Sequence, residues 1–91
     1  MKKAVKLFIS GNVQGVFFRS YIKENADKFK VKGYVRNLED GRVEAVLEGD
    51  AASVDKMIEL CKKGAPHSIV RNVEIEERSI GDSKDFKILH I

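Results

Sequence analysis

"VKGYVRNLEDGRVEAVLEG" (residues 31–49) sets two extended runs on either side of an Asp-Gly turn. In the first run Gly33, Val35 and Asn37 alternate with Tyr34 and Arg36, so the two sets face opposite sides of a strand. "RVEAVLEG" is the second run, and Asp40-Gly41 between them signals a hairpin because glycine supplies the positive φ of a tight turn. The two strands are predicted to pair antiparallel. Asn37, at the end of the first, offers an amide donor and a carbonyl acceptor that can hold a water molecule. An Asx-type residue opening the turn accounts for it as well.

Upstream, "AVKLFIS" alternates Val5, Leu7 and Ile9 with Lys6, Phe8 and Ser10, which predicts a strand over Ala4 to Gly11. Phe18, Ile22, Ala26 and Phe29 then recur at helical spacing, so a first helix is expected to begin near Arg19 or Ser20. After the hairpin, Val54, Met57, Ile58 and Cys61 share a second helical face. Asp50 is placed to cap that helix, Lys62 and Lys63 suit its C-terminal dipole, and Gly64 and Pro66 stop it. "IVRNVEIEE" (69–77) and "DFKILHI" (85–91) are two further extended runs. The order is βαββαβ with a split or extra final strand, which predicts an α+β fold, the ferredoxin-like α/β plait, with two helices on one face of an antiparallel sheet.

Size and composition narrow the classes. At 91 residues and 43% hydrophobic, the chain can form one modest core, so a single domain over residues 1–91 is expected. Seventeen basic and 14 acidic residues leave a formal charge of +3 with the signs interspersed, an excess too small to mark a nucleic-acid protein by itself. Cys61 is the only cysteine, which excludes an intramolecular disulfide framework and a zinc–thiolate cluster and fits a reducing compartment, the cytoplasm. No segment approaches the roughly 18 apolar residues that span a bilayer, and the N-terminal apolar run is broken by Lys6 and Ser10.

"GNVQGVFFRS" (11–20) joins the first strand to the first helix. A guanidinium at a helix N-terminus opposes the macrodipole at a cost of about 0.3–1 kcal/mol, and a bound anion reverses the sign of that effect. Gly11 and Gly15 let the backbone turn sharply, and the unpaired amides of a loop entering a helix point at a common centre. Together these outline a phosphate cradle; a plain chain reversal with Arg19 as a solvated residue is the alternative. Phe18 is expected in the core. Its neighbour Phe17 cannot share that face and is expected to line the loop or the pocket rim.

"GNVQGVFFR" together with "GYVRNLEDGRVEAVLEG" resembles the two signature stretches of the acylphosphatase family. The resemblance extends to the element order, the domain size and the break after the second helix, here "GAP". It implies hydrolysis of the carboxyl-phosphate anhydride of a small-molecule acylphosphate, giving a carboxylate and inorganic phosphate, with no metal and no cofactor. By the same resemblance Arg19 holds the phosphoryl group and Asn37 orients the attacking water. The backbone of Gln14, Gly15, Val16, Phe17 and Phe18 lines the phosphate site beside Arg19. Many microbial members look like "VQGVGFR", and Phe17 stands here in place of that glycine, which leaves the arginine in register.

Neither signature holds a carboxylate or histidine that the resemblance assigns as a base, although Glu39 and Asp40 follow Asn37 closely. Substrate assistance is therefore expected, a phosphoryl oxygen taking the proton of the water. His67 and His90 lie outside both motifs and are expected in structural or surface roles, and Cys61 in packing. Two rivals stand beside this reading. RNA-recognition domains share the plait, and "KGYVRNLE" begins like their signature, but Val35 and Arg36 then break it. An acylphosphatase-like domain of hydrogenase-maturation carbamoyltransferases is the second, although those are pieces of long chains. A free-standing monomeric enzyme that binds neither nucleic acid nor membrane is the expectation.

Overall fold

Alternation builds the first element. β1 (Lys2–Asn12) turns Val5, Leu7 and Ile9 inward, all fully buried, and Lys6 and Phe8 outward. The structure, a computed structural model, describes residues 1–89 apart from the Val16 side chain, so the role expected of His90 lies outside the described residues. α1 (Val16–Lys28) buries Phe18, Ile22 and Ala26 along the predicted stripe. Burying each of the two larger side chains contributes about 1.5–3 kcal/mol. α1 is followed by β2 (Lys32–Asn37) and β3 (Val43–Asp50), joined as predicted through Asp40-Gly41, with Gly41 at a φ of 96°. The Leu38 amide donates to the Arg42 carbonyl at 2.8 Å to close the hairpin. α2 (Ala51–Lys63), β4 (Ile69–Glu77) and β5 (Phe86–Ile88) complete the order.

The sheet runs β4-β1-β3-β2-β5. α1 packs over β2 and β5, α2 over β1, β3 and β4, both on the inner face, which is the ferredoxin-like plait. Between the layers lie Leu7, Ile9, Val43, Leu47, Met57 and Phe86, among other buried residues.

Four details differ from the sequence expectation. β1 is longer at both ends than Ala4 to Gly11, because pairing with β3 begins at Lys2 and pairing with β4 continues to Asn12. α1 starts at Val16 rather than near Arg19 or Ser20: the helix begins directly after Gly15, whose φ of 108° is non-helical, and that backbone break is not marked by apolar periodicity. The sheet is mixed rather than antiparallel, since β5 crosses to the far edge and pairs parallel with β2, Gly33 opposite Phe86. Alternation identifies a strand but not its partner. Asp50 takes the N-cap position of α2 but makes no side-chain cap bond; its carboxylate lies 3.6 Å from the Met1 amino nitrogen instead. The other end of α2 follows the sequence, with Lys62 and Lys63 in its last turn and Gly64 as C-cap.

Candidate active site

β1 delivers the chain to the site through a bulge, the β1–β4 register shifting between Ser10 and Gly11. Four residues after Gly11, Gly15 takes the N-cap of α1 at φ 108° and ψ 172°, a region essentially reserved for glycine. No side chain caps the helix, and its first turn carries no acidic residue. Backbone N–H groups at this end are therefore presented without a carboxylate from the same turn, an arrangement suited to an anion.

Arg19 is the fourth residue of α1 and only 9% exposed. Its Nε donates to the Gly15 carbonyl at 3.3 Å, which folds the guanidinium back over the start of its own helix. A guanidinium held at this end of the helix adds its fixed charge to the backbone N–H groups there, which suits an anion.

Asn37 comes to the same end of the sheet by register. It pairs with Val43 on β3, which pairs with Ile9 on β1, so the three form a row just below the point where β1 leads into the glycine loop. Strand alternation sets Asn37 on the inner face with Val35 and Val43, as its spacing predicts. Among the described residues, its Oδ1 is the buried side-chain oxygen or nitrogen with no hydrogen-bond partner in the protein. An orphaned carbonyl oxygen of this kind costs about 1–3 kcal/mol.

One contact ties the two motifs together. The Gln14 side chain donates from Nε2 to the Arg42 carbonyl at 3.1 Å, linking loop to hairpin. The sequence pointed to the Gln14 backbone and gave no signal of this bond, because its partners stand 28 residues apart. Arg42 is further held by Asp40, whose Oδ1 accepts from the Arg42 amide at 3.0 Å and whose Oδ2 accepts from Nε at 2.8 Å. Those two bonds hold the Asp40 carboxyl below the usual carboxylate range. The Arg42 guanidinium also stacks over Phe8, 4.8 Å from the ring centre.

Phe17 is 85% exposed and lines the rim of a cleft, while Phe18 is core. His67 is exposed at a positive φ of 67° on the same cleft, outside the Arg19 and Asn37 group. Cys61 is buried in the core, and burial pushes its thiol up to about 12, which suits packing rather than nucleophilic attack. On the outer face of the sheet, Tyr34 and Arg36 both donate to Glu44 Oε1 at 2.8 Å. Glu48, Glu74 and Glu76 share that face by strand alternation, so four carboxylates surround the aromatics Phe8 and Tyr34 there, a charge unsuited to an RNA backbone. Among the described residues no three of His, Cys, Asp and Glu converge to hold a metal ion, and no helix is long and apolar enough to cross a membrane.

Similarity to known proteins identifies the family. Residues 5–88 match the family model described as Acylphosphatase. The chain is 48% identical over 87 residues to an acylphosphatase of Rubrobacter xylanophilus, covering 94% of this chain and 79% of that protein. The crystal structure of acylphosphatase from Bacillus subtilis superposes with a TM-score of 0.92 at 36% identity, over 99% of this chain and 100% of that one. T. kodakarensis HypF matches with a TM-score of 0.83 at 32% identity, over 98% of this chain but 12% of that much longer one. A family match over nearly the whole length, on a fold that carries the glycine loop, Arg19 and Asn37 to one end of the sheet, makes this chain a member of the acylphosphatase family, hydrolases that act on acid anhydrides.

Proposed function

We propose that the chain is a metal-independent enzyme that hydrolyses the carboxyl-phosphate bond of small-molecule acylphosphates, working in the cytoplasm as a single-domain monomer. Arg19 and the backbone from Gln14 to Arg19 bind the phosphoryl group, and Asn37 directs the water that attacks it. The observation that carries this reading is Asn37 Oδ1, buried without a partner among the described residues on the inner face of the sheet, at the end where β1 leads into the glycine loop.

The chemistry asks little of the protein beyond position and charge. The carboxylate of an acylphosphate is already a good leaving group, and phosphoryl transfer spreads negative charge over the equatorial oxygens. A planar guanidinium that never loses its charge meets two of those oxygens at once, and loop amides meet others. Asn37 Oδ1 accepts a hydrogen bond from the water and fixes its line of approach. The water oxygen bonds to phosphorus, the bond from phosphorus to the acyl oxygen breaks with its electron pair going to the carboxylate, and a phosphoryl oxygen takes the proton of the water. Asp40, the nearby carboxylate, is an unfavourable base because its bonds to Arg42 favour the ionised, engaged form.

Phosphate release from benzoyl phosphate, with a chelator present, tests this reading in the wild type, Arg19→Ala and Asn37→Ala, each checked for folding by circular dichroism. The wild type is expected to turn over and each variant to lose about 100-fold or more in rate. A folded wild type that releases no phosphate overturns the proposal.

A further inference from the structure

A cleft of about 560 Å³ opens beside the glycine loop, on the flank of α1 opposite Arg19. Helical spacing explains the division. Phe17, Ser20, Tyr21 and Glu24 recur on one side of α1 and line the cleft. Arg19 and Lys23 recur on the other, where Lys23 Nζ donates to the Phe86 carbonyl of β5 at 3.0 Å. The opposite wall is the turn between α2 and β4, with Ala65 and Pro66. Val13 and Phe18, both buried, form the floor.

The sheet order gives this position a meaning. Asn37 lies on β2 and the cleft lies toward β4, with β1, β3 and the glycine loop between them. In phosphoryl transfer the attacking and leaving oxygens stand roughly in line across phosphorus. Water approaching from the Asn37 side therefore expels the acyl oxygen on the opposite side, toward the cleft. Resting on the phosphate-site reading above, we propose that this cleft receives the acyl group of the substrate and selects apolar acyl groups over those carrying a second anionic group.

Three observations fit that occupant. The lining is mostly apolar, which suits an aryl or alkyl group. Phe17 offers an 85% exposed ring at the junction of cleft and loop, where a bound acyl group covers it. Exposed Glu24 is the one carboxylate among the residues that line the cleft, which disfavours a second phosphate there.

Ser20 and Glu24 are both exposed, so they can be replaced without touching the core. Ser20→Trp fills the cleft and Glu24→Lys reverses its charge. The measurement is kcat/KM for benzoyl phosphate, acetyl phosphate and 1,3-bisphosphoglycerate, with inhibition by inorganic phosphate as a reading of the loop alone. The benzoyl-to-acetyl ratio is expected to fall about ten-fold in Ser20→Trp, as for discrimination by a hydrophobic pocket. In Glu24→Lys the ratio of bisphosphoglycerate to benzoyl phosphate is expected to rise, the inhibition constant of phosphate staying at its wild-type value in both variants. Ratios that stay at wild-type values, or a parallel loss on all three substrates, overturn the acyl-site inference alone. A wild type that turns over none of the three overturns the phosphate-site reading beneath it.

Discussion

Gln14 Nε2 donates to the Arg42 carbonyl at 3.1 Å, so the loop that leads into α1 is pinned to the hairpin that carries Asn37. The bond joins the two halves of the site without burying either side chain. Gln14→Ala is expected to lower kcat/KM by up to about ten-fold, the worth of one hydrogen bond of about 0.5–1.5 kcal/mol. Thermal unfolding is expected to stay close to wild type, since Gln14 is exposed. Comparing benzoyl phosphate turnover with the melting temperature separates the two effects.

Arg19 supplies geometry as well as charge. Its Nε is engaged by the Gly15 carbonyl, which orients the plane of the guanidinium. Lysine keeps the charge and loses that plane. Arg19→Lys is therefore expected to retain little more activity than Arg19→Ala, both down about 100- to 1,000-fold in kcat/KM, and inhibition by inorganic phosphate is expected to weaken in both. Recovery of most activity by the lysine variant would show that charge alone suffices.

Removing Asn37 should separate activity from stability. Its Oδ1 has no hydrogen-bond partner among the described residues, so replacing it breaks no side-chain acceptor bond among them. Asn37→Ala is expected to lose about 100-fold in kcat while unfolding at the same urea concentration as wild type or higher. A marked loss of stability would assign Asn37 to the fold instead.

Gly15 sits at φ 108° and ψ 172°, and a Cβ built there meets nothing within 4 Å. The effect of Gly15→Ala is thus conformational rather than steric. A cost of about 1–3 kcal/mol in stability is expected, read by urea denaturation. If the chain relieves the strain by turning the loop amides, phosphate inhibition weakens along with it.

Glu44 makes the outer face of the sheet sensitive to acid. Burial pushes its carboxyl up, but hydrogen bonds from Arg36 and Tyr34 and the nearby positive charge of Arg36 and Lys6 outweigh it, leaving the carboxyl below its ordinary value. A depressed folded-state value stabilises the protein above the unfolded value of about 4.3 and ceases to do so as pH falls through the folded one. The stability gap between wild type and Glu44→Gln is expected to be widest near pH 7 and to narrow in acid. Urea titrations at about pH 7 and about pH 3 measure it.

Local pattern was sufficient for most elements. Period-two runs located β1, β2, β3 and β4, helical spacing located the buried stripes of α1 and α2, and Asp40-Gly41 located the hairpin, because each depends on residues a few positions apart. The candidate residues Arg19 and Asn37 were legible for the same reason, as a charge at a helix start and an amide at a strand end. Features that depend on distant partners emerged with the folded chain. The parallel pairing of β5 with β2 and the bond from Gln14 to Arg42 each join segments far apart in the chain. The two flanks of α1 also take their meaning, Arg19 on one and the cleft on the other, from strands brought together by folding. A sequence fixes which side of a strand or helix a residue occupies; packing fixes what that side meets.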